Sequence, residues 1–103
     1  SILIVNLVDN ALTYTPEGGT VTLVIDQDGH KIKIRVEDNG PGIPVSEYEH
    51  VFERFYRVPG TLADGSGLGL AIVREVADAA GGDVSLSETK GGGLTVTVTL
   101  PAA

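Results

Sequence analysis

The 103-residue sequence contains no cysteine. This absence excludes disulfide bonds, thiolate metal sites and cysteine nucleophiles, and it fits a reducing compartment. The sequence also lacks any apolar run approaching the roughly 20 residues of a membrane-spanning helix, and it shows no signal peptide. Because the chain begins abruptly inside the apolar run at residues 2–5, we expect it to be a fragment of a longer protein.

Basic residues are scarce as well. Seven Lys and Arg stand against 14 Asp and Glu, which gives a formal net charge of −7. That charge argues against a general nucleic-acid or acidic-membrane surface, so a phosphate-bearing ligand would need local positive groups or a metal ion. Apolar residues make up 42% of the chain, which is ordinary for a soluble globular protein. The length allows one small domain with a single, thin core.

Hydrophobic periodicity predicts the order helix, two strands, long loop, helix, two strands. The helices are expected at residues 2–14 and 67–80, the second with Ser66 as a candidate N-cap. An Asp-Gly turn at residues 28–29 predicts a hairpin between the first two strands. The strands are expected at residues 20–26, 31–38, 83–88 and 94–100. These elements predict one mixed sheet with helices packed against it.

The most informative segment is Asp-Asn-Gly-Pro-Gly-Ile-Pro at residues 38–44. Three apolar residues of the preceding strand share one face, and Asp38 falls in the same phase. A carboxylate on the core side of a strand is costly unless it is satisfied, and Gly40 and Gly42 open the backbone to a close ligand. We therefore predict that Asp38 lies at the floor of a pocket and accepts hydrogen bonds from a buried polar ligand. The alternative is an Asp that caps a turn through its own backbone.

Two asparagines of the first helix, Asn6 and Asn10, are four residues apart and hence share a face, which Thr13 and Tyr14 continue. Because asparagine is a mediocre helix former, the presence of two asparagines on one face of the helix calls for an explanation. One interpretation is an ordinary solvent face shared with Asp9. The other is that an amide oxygen helps to coordinate a hard cation such as Mg²⁺.

A glycine-rich segment, Gly-Ser-Gly-Leu-Gly-Leu at residues 65–70, leads directly into the second helix. Its glycines let backbone N–H groups approach an anion, and the helix dipole favours negative charge there. It is not a Walker A loop, because no Lys-Ser/Thr follows. The G-x-G-x-G spacing and the absence of a strand running into it also argue against a dinucleotide-binding fingerprint.

The segment Phe-Glu-Arg-Phe-Tyr-Arg at residues 52–57 lies inside the long loop, which we expect to form a lid over residues 44–64. Arg54 and Arg57 are natural partners for phosphate oxygens if the lid closes. An amphipathic turn packed on the core explains the aromatic residues equally well.

In this fixed order, the segments resemble the N box (residues 6–16), first glycine box (38–43), F box (52–57) and second glycine box (65–70) of the catalytic, ATP-binding domain of bacterial sensor histidine kinases. The resemblance covers nearly the whole chain. It implies an N-terminally truncated domain over residues 1–103 with the Bergerat-type fold: an α+β, two-layer α/β sandwich whose mixed, mostly antiparallel sheet is covered by helices. DNA gyrase, mismatch-repair ATPases and heat-shock chaperones share this fold.

The resemblance also implies roles for individual residues. Asn10 matches the Mg²⁺ ligand, and Asn6 matches a residue beside the phosphates. Tyr14 matches the aromatic residue that packs on adenine, and Asp38 the carboxylate that accepts from its exocyclic amine. Arg57 matches a lid arginine near the γ-phosphate, so Asn6 and Arg57 are the candidate catalytic residues. The other expected ATP contacts are Gly40, Gly42, Ile43, Arg54, Tyr56, Gly65, Ser66, Gly67, Leu68, Gly69 and Leu70.

The implied function is that of a protein-histidine kinase, which binds Mg-ATP and donates the γ-phosphoryl group to a histidine on a separate helical dimerisation domain in two-component signal transduction. The implied partners are ATP or ADP, that helical domain and, indirectly, a response regulator, with no nucleic acid. The full-length protein is expected to be a homodimer anchored in the bacterial inner membrane, with this domain in the cytoplasm. One departure is Thr13, where many relatives carry Lys or Arg.

Two alternatives stay open: an ATPase of the same fold that drives a conformational cycle, and a nucleotide-binding regulatory module without catalysis. ATPases of this fold carry a water-orienting Glu where Asn6 stands, and an amide cannot act as a base. This difference favours the kinase. His30 and His50 lack the context expected of a phosphoacceptor, so we predict that both are exposed bystanders.

Overall fold

The computed structural model describes residues 2–15, 17–53 and 69–102. Its described helices and strands are α1 (Ile2–Tyr14), β1 (Val21–Asp28), β2 (Lys31–Asp38), α2 (Gly69–Ala79), β3 (Asp83–Glu88) and β4 (Leu94–Pro101). Two single turns of 3₁₀ helix lie at Val45–Glu47 and His50–Phe52. The strands form one sheet in the order β1-β2-β4-β3, and each pair of described neighbours is antiparallel.

The predicted elements agree closely with the observed ones. The bounds of α1, β2 and β3 are those that the sequence predicted, and β4 extends one residue further. The strand β1 begins one residue later and ends two residues later than predicted. It is longer because the β1–β2 hairpin closes tightly: Asp28 is still paired with Lys31, and Gly29 adopts a positive φ of 61° in the turn between them.

The helix α2 ends in a Schellman motif, and its last residue, Ala79, lies one residue before the predicted end. Gly81 has a φ of 80°, which an L side chain rarely adopts. The Gly82 N–H donates to the Ala77 carbonyl at 2.9 Å, and the Gly81 N–H donates to the Asp78 carbonyl at 3.1 Å. These two bonds satisfy carbonyls at the end of the helix, and the chain then turns back into β3.

A single hydrophobic core lies between one face of the sheet and the two helices. Alternate residues of β2 and β4 point into it, which follows from the period of two that both strands show in sequence. The largest fully buried side chains come one from each of four elements: Leu7, Val36, Val73 and Val98. The architecture is therefore the predicted α+β, two-layer sandwich, although the described strands form an antiparallel sheet where a mixed one was expected.

The topology gathers several chain ends at one end of the sheet, which we call the Asp38 end. Asp38 closes β2, where it is in register with Val21 at the start of β1, and Leu94 begins β4 beside it. Because residues 15–20 join α1 to β1, the C-terminal half of α1 lies near this end. The helix α2 leads into the far end of β3, so its N-terminus points back towards the Asp38 end.

No helix within the described ranges is long and apolar enough to cross a membrane.

Two leucines of α1 allow a matched test of this packing. Leu7 is 1% exposed, whereas Leu12 is 58% exposed. Leu7→Ala should lower the free energy of unfolding by about 2–5 kcal/mol, because it leaves a cavity in the core. Leu12→Ala should change it by less than about 0.5 kcal/mol. Urea unfolding followed by circular dichroism measures both, and equal losses would show that α1 does not pack on the sheet through Leu7.

Candidate functional site

Asp38 is a buried carboxylate, 6% exposed, at the end of β2. Its Oδ1 accepts two backbone hydrogen bonds, from the Gly40 N–H at 3.0 Å and from the Leu94 N–H at 3.1 Å. The first bond closes the local turn that the sequence analysis gave as the alternative interpretation of Asp38. The second comes from a residue 56 positions later, which no local turn explains. No described residue donates to Oδ2, so half of the carboxylate is left to accept from another group.

The turn after Asp38 is fixed on two sides. Asn39 exchanges two bonds with Thr20: its Oδ1 accepts from the Thr20 N–H at 2.7 Å, and its own N–H donates to the Thr20 carbonyl at 3.2 Å. Gly42 has a φ of 69°, and a Cβ there would lie 3.2 Å from the Gly93 carbonyl oxygen. Ile43 packs against the hydrophobic core. The first glycine box therefore has little freedom to move relative to the sheet.

Asn10 meets the N-terminus of α2. A Cβ at Gly69 would lie 3.4 Å from the Asn10 Oδ1 and 3.5 Å from its Cβ. The structure thus brings one residue of the N box and one of the second glycine box together. Leu70, the next residue of that box, is buried in the core. An amide oxygen here stands beside helix N–H groups that attract anions.

Asn6 shares a face of α1 with Asn10, and both are half-buried, whereas Asp9 is exposed. The two asparagines therefore do not belong to the open solvent face on which Asp9 lies. The Asn6 Nδ2 donates to the Ile2 carbonyl at 2.8 Å within the helix. The Thr13 hydroxyl donates in the same way to the Asp9 carbonyl at 2.8 Å. The functional role of Asn6 stays a prediction.

The described part of the expected lid packs on the domain. Tyr48, Val51 and Phe52 contact the core, and the Arg74 guanidinium carbon lies 5.0 Å from the centre of the Phe52 ring. This is a cation–π arrangement, and it supports the amphipathic-turn interpretation for Phe52. The Tyr48 hydroxyl is buried with no hydrogen-bond partner among the described residues. Burial and the nearby Glu88 raise the pKa of this phenol.

The remaining predicted ATP contacts involve side chains or residues that the structure does not describe. For Tyr14, the last residue of α1, only the backbone is described. The others are Arg54, Tyr56, Arg57, Gly65, Ser66, Gly67 and Leu68.

The oxygen ligands that the described residues offer decide how the expected Mg²⁺ could be bound. Within the described ranges, no cluster of three or more His, Asp or Glu side chains could hold a metal ion. Asn10 offers one amide oxygen beside α2. Mg²⁺ commonly takes few protein oxygens and fills its remaining positions with phosphates and water. The residues present therefore fit an ion that arrives with a polyphosphate better than one bound by the protein alone.

The fold and site together define a two-layer α/β sandwich whose polar side chains gather at the Asp38 end. The chain belongs to the family described as histidine kinase-, DNA gyrase B- and HSP90-like ATPases, whose model matches residues 1–103. It is 46% identical over 101 residues to the sensor histidine kinase WalK of Bacillus subtilis and 45% identical over 98 residues to the sensor protein kinase PmrB of Pseudomonas aeruginosa. Each match covers 93% of this chain but only 16% and 20%, respectively, of the relative's length.

Solved structures agree with this assignment. The mycobacterial sensor histidine kinase MprB superposes with a TM-score of 0.87 at 35% identity, covering 97% of this chain and 70% of that one. Full-length ShkA in complex with AMPPNP gives a TM-score of 0.83 at 34% identity, covering 99% of this chain and 21% of that one. The family and fold predicted from sequence are therefore confirmed.

The His50–Glu53 pair predicts a pH dependence. His50 Nδ1 and Glu53 Oε2 are 2.8 Å apart on the surface, and this hydrogen bond raises the pKa of His50 above 6.5. Any stability from the pair should be complete below about pH 6.5 and lost as the pH rises through the raised pKa. In NMR titrations, Glu53→Gln should lower the His50 midpoint, and Asp28→Asn at the distant hairpin should not. An unchanged midpoint in Glu53→Gln would contradict the pairing.

Proposed function

We propose that this chain is the ATP-binding domain of a sensor histidine kinase, which binds Mg-ATP and donates the γ-phosphoryl group to a histidine on a separate helical domain. The observation that carries the proposal is the buried Asp38 carboxylate, one oxygen of which accepts two backbone hydrogen bonds while the other accepts none from the described residues. Membership of the family and the similarity to named sensor kinases support it. The chain spans about a fifth or less of those relatives, so the reaction itself is part of the proposal.

Adenine recognition follows from the donors and acceptors at Asp38. Its Oδ1 already accepts from Gly40 and Leu94, which orients the carboxylate. An ionised Asp can only accept hydrogen bonds. The exocyclic amine of adenine is a donor, whereas guanine presents an oxygen acceptor at the equivalent position. A fixed carboxylate oxygen therefore binds adenine and repels guanine.

The phosphates are proposed to lie where α2 begins. The chain carries a net charge of −7, so local groups must attract the nucleotide. The N-terminus of α2 supplies aligned N–H groups, and Asn10 beside it supplies an oxygen to a metal that accompanies the phosphates. When bound, Mg²⁺ would neutralise charge on the phosphates as the γ-phosphoryl group moves. Arg54 and Arg57, in the proposed lid at 44–64, would add positive charge.

Phosphotransfer is favoured over hydrolysis by the chemistry of Asn6. Its side chain is neutral, and its Nδ2 donates to the Ile2 carbonyl. It cannot remove a proton from water, so the nucleophile must supply its own basicity, as an imidazole does. His30 is exposed beside a hairpin turn, and His50 is bonded to Glu53. We therefore place the acceptor histidine on another domain.

The wider setting belongs to the same proposal. The full-length protein would be a homodimeric, membrane-anchored sensor with this domain in the cytoplasm, and a response regulator would receive the phosphoryl group from the acceptor histidine.

Asp38→Asn tests adenine recognition sharply. The Gly40 and Leu94 N–H groups will hold the amide oxygen at the Oδ1 position, because an NH₂ group there would face two donors. The NH₂ group then replaces the free oxygen and opposes the adenine amine. ATP affinity should fall about 10- to 100-fold, the equivalent of about 1.5–3 kcal/mol. Affinity for GTP should fall less or rise. Calorimetry that finds ATP binding unchanged in Asp38→Asn would contradict the assignment.

Phosphotransfer is tested with radiolabelled ATP. The chain alone should neither label itself nor hydrolyse ATP appreciably, and addition of the cognate helical domain should yield label on that domain's histidine. Asn10→Ala should abolish transfer by removing the metal-facing oxygen, whereas Asp9→Ala on the exposed face of the same helix should retain it. Asn6→Glu should gain some hydrolysis by introducing a base. Stable labelling of His30 or His50 in the chain alone would overturn the proposal.

A further inference from the structure

The β3–β4 hairpin reaches into the site, although none of the four boxes includes it. Its loop, residues 89–93, ends at Gly93, which has a φ of 114°. A Cβ at Gly93 would overlap the Asp38 carbonyl oxygen and lie 3.0 Å from the Asn39 Cα. Only a residue without a side chain allows the hairpin to approach β2 this closely.

This close approach changes the partner of one backbone N–H. The β2–β4 ladder runs from Lys31, opposite Pro101, to Glu37, opposite Thr95. At the next position the Leu94 N–H donates to the Asp38 side chain instead, at 3.1 Å. A donor from the hairpin therefore takes the place of a ladder bond and fixes the carboxylate.

The hairpin that delivers this donor is itself held by several bonds. The Thr89 N–H donates to the Gly93 carbonyl at 3.1 Å, and the Gly92 N–H donates to the Thr89 carbonyl at 2.9 Å. The hydroxyls of Thr89 and Thr95 lie 2.9 Å apart, and Thr95 is buried. The position of the Leu94 N–H is thus determined by the folded hairpin and not by the nucleotide.

We infer that the β3–β4 hairpin determines nucleotide specificity: Gly93 permits the approach, and the Leu94 N–H holds Asp38 Oδ1 so that Oδ2 faces the base. The inference rests on the proposed binding of adenine by Asp38. Gly93 and Leu94 act as positioning residues, because they orient the recognising group in advance and need not touch the nucleotide. An acceptor fixed before binding loses less entropy when the ligand arrives, and it cannot turn to suit a different base.

Two neighbouring glycines give a matched pair of variants. Gly92 and Gly93 have φ values of 115° and 114°, so an alanine would meet the same unfavourable φ at either position. They differ in surroundings: a Cβ at Gly92 has nothing within 4 Å, whereas one at Gly93 overlaps the Asp38 carbonyl. A difference between Gly92→Ala and Gly93→Ala therefore reports the contact with Asp38 and not the backbone strain.

The experiment measures ATP and GTP affinities by calorimetry, with Mg²⁺, for the unaltered chain and both variants. Gly93→Ala should lower the preference for ATP over GTP by about tenfold or more, since a hydrogen bond to a charged group is disturbed. Gly92→Ala should keep the preference within about twofold. If the two variants discriminate equally, the inference is wrong. If the unaltered chain itself does not prefer ATP, the proposed adenine recognition fails instead.

If Gly93→Ala does not fold, a second pair of variants tests whether the Leu94 N–H determines the preference for ATP. Replacing the Leu94 residue by its α-hydroxy acid turns its amide into an ester, which deletes the N–H that donates to Asp38 and weakens the Gly93 carbonyl as an acceptor, without adding a side chain. The same change at Gly92 deletes an N–H that donates to the Thr89 carbonyl. The ester at Leu94 should reduce the preference for ATP by about tenfold, and the ester at Gly92 should not. Equal preferences in the two esters would overturn the inference.

Discussion

Burial of the Asp38 carboxylate is the constraint on which the rest of the site depends. A charge at a core-facing strand position is expensive unless hydrogen bonds satisfy it, and the two available donors come from distant parts of the sequence. The Gly40 N–H requires a tight turn after β2, and the Leu94 N–H requires that β4 begin beside that turn. The β3–β4 hairpin must then approach main chain to main chain, which explains the glycine at position 93. One buried oxygen thus links the ends of two strands and both glycine turns.

Local signals in the sequence were sufficient for most of the fold. The alternation in β2 and β4 and the apolar spacing of α1 are repeated several times within each element, so chance matches are few. The position of Asp38 in the apolar phase of β2 was enough to predict its burial. Its local bond to Gly40 was also foreseeable, because Asp commonly bonds the N–H two residues on.

Contacts between distant segments could not be predicted in the same way. Nothing in the composition of the β3–β4 hairpin indicates that the Leu94 N–H bonds Asp38, since the partner lies 56 residues away and the donor is backbone that every residue except proline carries. Arg74 over Phe52 was missed for a similar reason: an exposed arginine on a helix usually faces solvent. The adjacency of Asn10 and Gly69 was likewise not predictable from spacing, because the two residues are 59 positions apart and belong to different helices.

The place of β4 within the sheet has a consequence for how the protein is made. The strand β4, which comes last in sequence among the described strands, lies inside the sheet, between β2 and β3. Until β4 has been synthesised, the described strands can pair only as the β1–β2 hairpin, and the helices lack the buried side chains of β4 on which the core is built. The pairings of β4 with β2 join residues up to 70 positions apart, as between Lys31 and Pro101, and such distant contacts slow folding. Synthesis therefore leaves the apolar faces of α1 and β2 exposed until β4 has been made, and transiently exposed apolar surface of this kind promotes aggregation.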